Sequence, residues 1–182
     1  MRRRIVLLIL GMLLAGVVVA QSGLDPGAKV PPLVVYDATG EHRGEEVDYA
    51  RLRGEKPTLY LFVRELDRPQ ARFIRLLDEW IADHDASGVY CVAVFMHHDE
   101  VQAIKDHLPR IQQSVKFRAT VLTANPGARE QPNGWGLDPK QFVTAIVANK
   151  GAAVQSFPFV SVNESDAPKV IAALEKTLPP AR

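Results

Sequence analysis

The chain has 182 residues, of which 47% are apolar and 24% are charged, and its formal net charge is +1. This composition is that of an ordinary globular domain with enough apolar side chains for one core, and it excludes a disordered or low-complexity chain. A nearly neutral charge without a basic block argues against nucleic acid as a partner and against binding to an anionic membrane surface.

The N-terminal 20 residues have the pattern of a secretory signal peptide. Three arginines, Arg2 to Arg4, precede the uncharged apolar run 5–20, which ends at Ala20 before Gln21. We predict that residues 1–20 are a signal peptide and that the protein is exported to a periplasm or secreted. Removal of this segment takes away three arginines and no acid, so the net charge falls from +1 to −2.

The alternative to cleavage is an uncleaved N-terminal membrane anchor, because the apolar run approaches the roughly 20 residues that span a bilayer. After cleavage we expect no stable membrane insertion. Export usually favours disulfides, yet the chain has a single cysteine, Cys91, so no intramolecular bridge can form. The fold must be held by core burial alone.

The elements after the signal peptide alternate between strands and helices. Residues 21–32 are rich in Gly and Pro and predict an extended lead-in, and residues 33–182 predict a single domain. The apolar runs predict strands at 33–36, 58–63, 88–96, 119–122, 142–148 and 152–157. Helical periodicity predicts one turn at 49–52 and helices at 69–84, after Asp99 and Glu100, and at 167–178. Pro109 predicts a kink or an early stop in the third of these helices.

This order of elements predicts an α/β fold. Strand–helix–strand units favour a mostly parallel central sheet with helices on both faces. The last two strands are joined by the tight turn Asn149-Lys150-Gly151, which predicts an antiparallel hairpin at one edge.

Several stretches of the sequence resemble the thioredoxin-like superfamily. They are GAKVPPL at 27–33, YDATG at 36–40, KPTLYLF at 56–62, GVYCVAV at 88–94, WGL at 135–137 and FVTAIVANKG at 142–151. Within that superfamily the chain resembles the redoxin group, which comprises peroxiredoxin-like proteins (alkyl hydroperoxide reductase and thiol-specific antioxidant) and TlpA-like proteins. The resemblance covers about residues 27–178 and implies a thioredoxin-like fold.

The chain departs from the group's redox site at two places. Where the group has Cys-X-Pro-Cys, this chain has Asp67-Arg68-Pro69-Gln70, so both thiols needed for disulfide exchange are absent. Where the group has a cis-proline, this chain has Val143. A cis bond before a non-proline residue costs about 3–4 kcal/mol, so we predict a trans peptide before Val143. Asp67 itself is predicted to cap the following helix.

Cys91 and two histidines are the other candidates for chemistry. Cys91 lies in a predicted core strand, which favours a buried and inert thiol, and the alternative is a catalytic or redox-sensing thiol. His97 and His98 follow the same strand and are weak candidates for a metal site, because they lack a regular ligand spacing. We predict no cofactor.

The charged residues around the predicted helix start are most simply solvated. The alternative is that Arg64, Arg68 and Arg72 form part of a rim that suits a polar or acidic partner. Trp135, in the long loop 123–141, either anchors a partner or packs under that loop.

Together these observations predict an exported thioredoxin-like domain that lacks the dithiol site. We interpret it as a redox-inactive binding or structural module with an unidentified protein or peptide partner, and the sequence leaves open whether it is an enzyme. The alternatives are a thiol-dependent peroxidase or oxidoreductase acting through Cys91 and a metal-binding protein using His97 and His98.

Overall fold

A computed structural model describes residues 22–96, 101–127 and 131–179. The strands are β1 (Val34–Asp37), β2 (Glu46–Asp48), β3 (Thr58–Val63), β4 (Tyr90–Phe95), β5 (Thr120–Ala124), β6 (Val143–Asn149) and β7 (Ala152–Phe159). The helices are α1 (Tyr49–Arg53), α2 (Arg68–Asp83), α3 (Val101–Val115) and α4 (Ala167–Glu175), with short 3-10 turns at Asp85–Ser87 and Glu164–Asp166.

The described strands form one sheet in the order β2-β1-β5-β4-β3-β6-β7. The pairs β3/β4 and β4/β5 are parallel, whereas the four outer pairings are antiparallel. The predicted α/β fold with a β6–β7 edge hairpin is confirmed. The expected parallel pairing holds for the central strands β3, β4 and β5, whereas β1 and β6 run against them.

The three long helices share one face of the sheet. Phe73 of α2, Leu108 of α3 and Leu174 of α4 lie in one buried cluster with Leu61 and Ala93 of the central strands. The crossovers β3–α2–β4 and β4–α3–β5 step in the same direction across the sheet. Because both are right-handed, their helices lie on the same side.

The opposite face is covered mainly by irregular chain. Leu24 of the lead-in, Tyr49 of α1 and Trp135 of the long loop pack there against Tyr60 and Val92. The prediction of helices on both faces therefore holds on this side only through the five-residue helix α1.

The central strand β3 is buried on both faces. Leu59 and Leu61 contribute to the cluster beneath the long helices, and Tyr60 and Phe62 contribute to the opposite cluster. All six residues of the strand are buried. The continuous apolar run therefore predicts both the bounds of the strand and its central place in the sheet.

Helix α3 does not stop at Pro109, and continues to Val115. A proline inside a helix costs about 3 kcal/mol or more. Leu108 is fully buried, and Ile104, Ile111 and Val115 pack against the same core. Burial of this apolar stripe on both sides of the proline offsets its cost, so the expected early stop is wrong.

The lead-in is part of the sheet edge. The N–H of Gly27 donates to the carbonyl of Ala153, and the N–H of Ala153 donates to the carbonyl of Ala28, each at 2.8 Å. Residues 1–20 lie outside the described residues, so the signal peptide and the anchor stay predictions. Within the described residues, no helix has the length and apolarity needed to cross a membrane.

Candidate functional site

The residues that the sequence analysis compares with the Cys-X-Pro-Cys pattern lie at the start of α2, after β3. Asp67 is the N-cap residue and has an extended backbone. Its carboxylate Oδ1 accepts a hydrogen bond from the N–H of Gln70 at 3.0 Å. In return the side-chain Oε1 of Gln70 accepts from the N–H of Asp67 at 3.2 Å. The predicted helix-capping role of Asp67 is confirmed, and it forms a complete capping box.

This capping box determines what the helix start can do chemically. Gln70 is buried, whereas Arg68 and Pro69 are exposed. The carboxylate satisfies the N–H of Gln70 in the first turn of the helix, and the amide oxygen satisfies the N–H of the capping residue Asp67. Neither side chain exchanges with a disulfide, which requires a thiolate. The helix start is therefore built as a cap and contains no sulfur.

Val143 lies beside the start of α2, where β6 begins. It pairs with Val63, the last residue of β3, and is fully buried. The described residues contain no cis peptide bond, so the predicted trans peptide before Val143 is confirmed.

Arg64 is partly buried and connects the end of β3 to the long loop. Arg64 Nη2 donates to the side-chain oxygen of Gln131 at 3.0 Å. In this orientation of the amide, the side-chain nitrogen of Gln131 donates to the carbonyl of Leu137 at 2.6 Å. Burial lowers the pKa of Arg64, and the charge of Asp138 acts in the opposite direction. The simple expectation of a solvated charge is therefore wrong for Arg64.

Arg68 and Arg72 are solvated, as expected. Arg68 is exposed, and Arg72 Nη1 lies 3.3 Å from Glu164 Oε1 in a pair whose side chains are both more than half exposed. A pair of this kind contributes about 0–1 kcal/mol. These two guanidinium groups therefore remain available to a partner at little cost.

An exposed apolar patch lies next to the same end of the sheet. We call Phe142, Phe159 and Val160 the edge patch. Phe142 is 40% exposed and Val160 is 60% exposed. The N–H of Phe142 donates to the carbonyl of Phe159, whose ring makes a T-shaped contact with Phe73 of α2. The patch was not predicted from the sequence, because Phe142 is part of a predicted strand and Phe159 lies past the predicted strand end at 157. The available signal was the continuation of the apolar residues beyond 157.

Trp135 is fully buried and is not available as a surface anchor. Its ring lies 5.0 Å from that of Tyr60 and 4.9 Å from that of Phe62, measured between ring centroids. The indole N–H donates to the carbonyl of Pro32 at 3.1 Å. Of the two interpretations of this residue, packing under the loop is the one that the structure supports.

Cys91 is fully buried in β4, between Leu59 of β3 and Thr120 of β5. Burial raises the pKa of the Cys91 thiol well above its ordinary value, and the neighbouring Thr120 opposes this effect only in part. The predicted core position of Cys91 is confirmed.

His97, His98, Asp99 and Glu100 lie outside the described residues, so the metal-site alternative stays a prediction. Within the part of the chain that the structure describes, no group of three or more His, Cys, Asp or Glu side chains is arranged to hold a metal ion.

Comparison with known proteins identifies the fold. No protein-family model matches the chain, and no curated protein matches it. Among solved structures, the chain is similar to a candidate thiol:disulfide interchange protein DsbE from Chlorobium tepidum. The two share 18% identity with a TM-score of 0.61, and the match covers 83% of this chain and 99% of that chain. A yeast mitochondrial 1-Cys peroxiredoxin matches with 13% identity, a TM-score of 0.58, and coverage of 85% and 78%.

A third similar structure is a thiol peroxidase from Chromobacterium violaceum, with 12% identity, a TM-score of 0.56, and coverage of 85% of this chain and 89% of that chain. These neighbours are thioredoxin-like redoxin proteins, and at such identities the likeness establishes the fold. The chain is a thioredoxin-like α/β domain in which a capping box occupies the start of α2.

Proposed function

We propose that this protein is an exported thioredoxin-like module that binds a protein or peptide partner and performs no thiol redox chemistry. The observation that carries the proposal is the helix start, where Asp67 and Gln70 cap each other. Thiol chemistry at such a position depends on a thiolate whose pKa the helix N-terminus lowers. Without a sulfur at this position, a disulfide or a peroxide has nothing to react with.

Cys91 is a poor substitute for the absent thiols. It is the second residue of β4, and the helix start lies beyond the other end of the neighbouring strand β3. At about 3.3 Å per residue, the four residues from Cys91 to Phe95 separate the thiol from that end by about 13 Å. Burial also raises its pKa, so little thiolate forms at neutral pH. Both features argue against the alternative of a peroxidase or oxidoreductase acting through Cys91.

The binding role rests on the surface beside the helix start. The edge patch exposes apolar side chains, and the ring of its Phe159 contacts Phe73 of α2, the helix whose first turns carry Arg68 and Arg72. An apolar centre flanked by arginines is typical of protein interfaces. We infer a partner segment that presents an apolar side chain next to acidic or polar ones. The proposed export rests on the cationic and apolar pattern of residues 1–20.

The redox half of the proposal is tested by insulin reduction and by hydroperoxide turnover, each with dithiothreitol as the reductant. We expect rates equal to those of dithiothreitol alone, for the wild type and for Cys91→Ser. A thioredoxin with an intact dithiol serves as the positive control, and circular dichroism confirms that both proteins are folded. Activity that survives Cys91→Ser would reject the proposal, and activity abolished by that substitution would establish the Cys91 enzyme instead.

The binding half is tested by capture of partners from an envelope extract with matched surface variants. Phe142→Ser and Val160→Ser change the edge patch, and Val34→Ser changes an apolar side chain of similar exposure, 49%, on the distant strand β1. We expect one partner to be retained by the wild type and by Val34→Ser, and to be lost by the two patch variants. A partner retained equally by all four proteins would contradict binding at this surface.

A further inference from the structure

A second candidate binding site lies at the end of the sheet opposite to the start of α2. It is a cleft of about 250 Å³ between α1, the turn that follows β1 and the start of β4. Its lining includes Arg53, Lys56 and Tyr90, together with Glu41 and His42. None of these residues belongs to the helix start or to the edge patch.

Arg53 is fixed in this cleft by neutral groups. Its Nε donates to Thr58 Oγ1 at 3.1 Å, and its Nη2 donates to the carbonyls of Gly88 at 2.6 Å and Pro57 at 3.2 Å. The guanidinium carbon lies 4.7 Å from the centre of the Tyr90 ring. These contacts hold the guanidinium plane in one orientation before any ligand arrives.

The charge of Arg53 is not compensated by a neighbouring acid. Among the described residues, no carboxylate forms an ion pair with it, and its Nη1 donates to no acceptor. The side chain is partly buried, and burial lowers the pKa of Arg53 without removing its charge. The unused Nη1 donors of this cation are available to an anion that enters the cleft.

Two further donors line the same cleft. The hydroxyl of Tyr90 makes no hydrogen bond within the described part of the chain, and burial is the main cause that raises its pKa to about 12, so it stays protonated at neutral pH. Lys56 is exposed and adds a second permanent positive charge. Glu41 brings one negative charge to the lining, and the carboxylate of Asp37, which accepts from Tyr49, also acts on Tyr90, so the positive charge of the cleft is confined to Arg53 and Lys56.

We propose that this cleft binds a small oxyanion of the phosphate class, with Arg53, Lys56 and Tyr90 as its donors. Separate donors on three side chains suit the oxygens of a tetrahedral anion, whereas a planar carboxylate is satisfied by the two parallel N–H groups of one guanidinium. The cleft volume admits a phosphate with a small substituent, so both free phosphate and a phosphate monoester fit.

The proposal is tested by an NMR titration of the protein with inorganic phosphate at constant ionic strength, with chloride as the reference salt. We expect saturable shifts at Arg53, Lys56 and Tyr90. Lys56→Ala and Tyr90→Phe each remove one donor without removing the contacts that hold Arg53, and each weakens binding by about fivefold or more. Glycerol phosphate is titrated in parallel: tighter binding than that of inorganic phosphate indicates a phosphorylated compound, and equal binding indicates free phosphate.

Lys150→Ala is the matched control, because Lys150 is also exposed but lines a different cleft of about 680 Å³ with Lys29 and Arg51. We expect this variant to bind phosphate like the wild type. The proposal is overturned if phosphate has no saturable effect beyond that of chloride, or if the shifts centre on Lys150. It is also overturned if both donor variants, shown by circular dichroism to be folded, bind as tightly as the wild type.

Discussion

Asp67 and Gln70 form two reciprocal hydrogen bonds at the start of α2. The carboxylate of Asp67 accepts from the N–H of Gln70, and the amide oxygen of Gln70 accepts from the N–H of Asp67. The resemblance noted in the sequence would place the sulfurs of a Cys-X-Pro-Cys pattern at these two positions. A carboxylate at this place is favoured by the positive end of the helix dipole. The helix start thus contributes stability to the domain, and its side chains supply no electron-transfer chemistry.

Removal of the cap should destabilise the domain without altering its fold. We expect Asp67→Ala to lower the free energy of unfolding by about 1 kcal/mol, because one N–H at the helix start loses its acceptor. Asp67→Asn is the control, since asparagine caps helices about as well as aspartate. The measurement is urea denaturation of the three proteins, and equal midpoints for Asp67→Ala and the wild type would contradict the capping role.

Sulfurs placed at the two capping positions should form a disulfide. The positions are one helical turn apart, within the Cα separations of about 4.4–6.8 Å that disulfides accept. We expect the double variant Asp67→Cys and Gln70→Cys to oxidise in a glutathione buffer, and the cysteine at position 67 to react with alkylating agents faster than Cys91, because it lies at a helix N-terminus. Mass spectrometry measures both outcomes. A variant that stays reduced, or that alkylates first at Cys91, would contradict this account of the helix start.

The buried carboxylate of Asp37 should make Tyr49 important for stability. Asp37 is fully buried and accepts from the N–H groups of Thr39, Gly40 and His42 and from the hydroxyl of Tyr49 at 2.8 Å. We expect Tyr49→Phe to cost about 1–3 kcal/mol, because the carboxylate loses one of its donors inside the protein.

The matched control for that experiment is Tyr36→Phe. The Tyr36 ring packs against Lys105, and its hydroxyl makes no hydrogen bond within the described residues. Urea denaturation should show a change of less than about 0.5 kcal/mol for this control. Equal losses in the two variants would indicate that the hydroxyl of Tyr49 has no special role.

Alkaline pH should weaken the fold through two tyrosines. Burial, the largest cause for each, raises the pKa of Tyr60 and of Tyr90 to about 12, from an ordinary value of 10.0. Between these two pH values the unfolded chain has released protons that the folded protein still holds. The free energy of unfolding therefore falls as the pH rises through this interval.

The measurement is the urea midpoint from about pH 9 to about pH 12, together with phenolate absorbance. Replacement of both tyrosines by phenylalanine should reduce the pH dependence, and Tyr49, whose pKa burial also raises, keeps a part of it. Ionisation of Tyr60 and Tyr90 themselves near pH 10 in a protein of unchanged stability would contradict the burial of their hydroxyls.

The sequence predicts the centre of the fold better than its edges. The apolar run 58–63 coincides with β3, because a strand covered on both faces leaves an uninterrupted apolar signal. The edge strand β2 (Glu46–Asp48) was missed, since three exposed or partly exposed residues carry no alternation. The shared face of the long helices was missed too, because it follows from the order of strands in the sheet, which local periodicity does not contain.

The candidate site divides in the same way. The cap at Asp67 could be predicted, because capping depends on residues next to each other in the chain. The partial burial of Arg64 depends on Gln131 of a loop far along the sequence, and the exposure of Val160 depends on where the sheet ends. Neither is encoded locally, so both emerged only from the three-dimensional structure.

The central claim is that no reactive thiol is accessible in the folded domain, and the alkylation rate of Cys91 tests it most directly. We predict that a maleimide labels Cys91 slowly in the native protein, at a rate limited by opening of the core, and rapidly after unfolding in urea. Fast and stoichiometric labelling of the folded protein would contradict the claim.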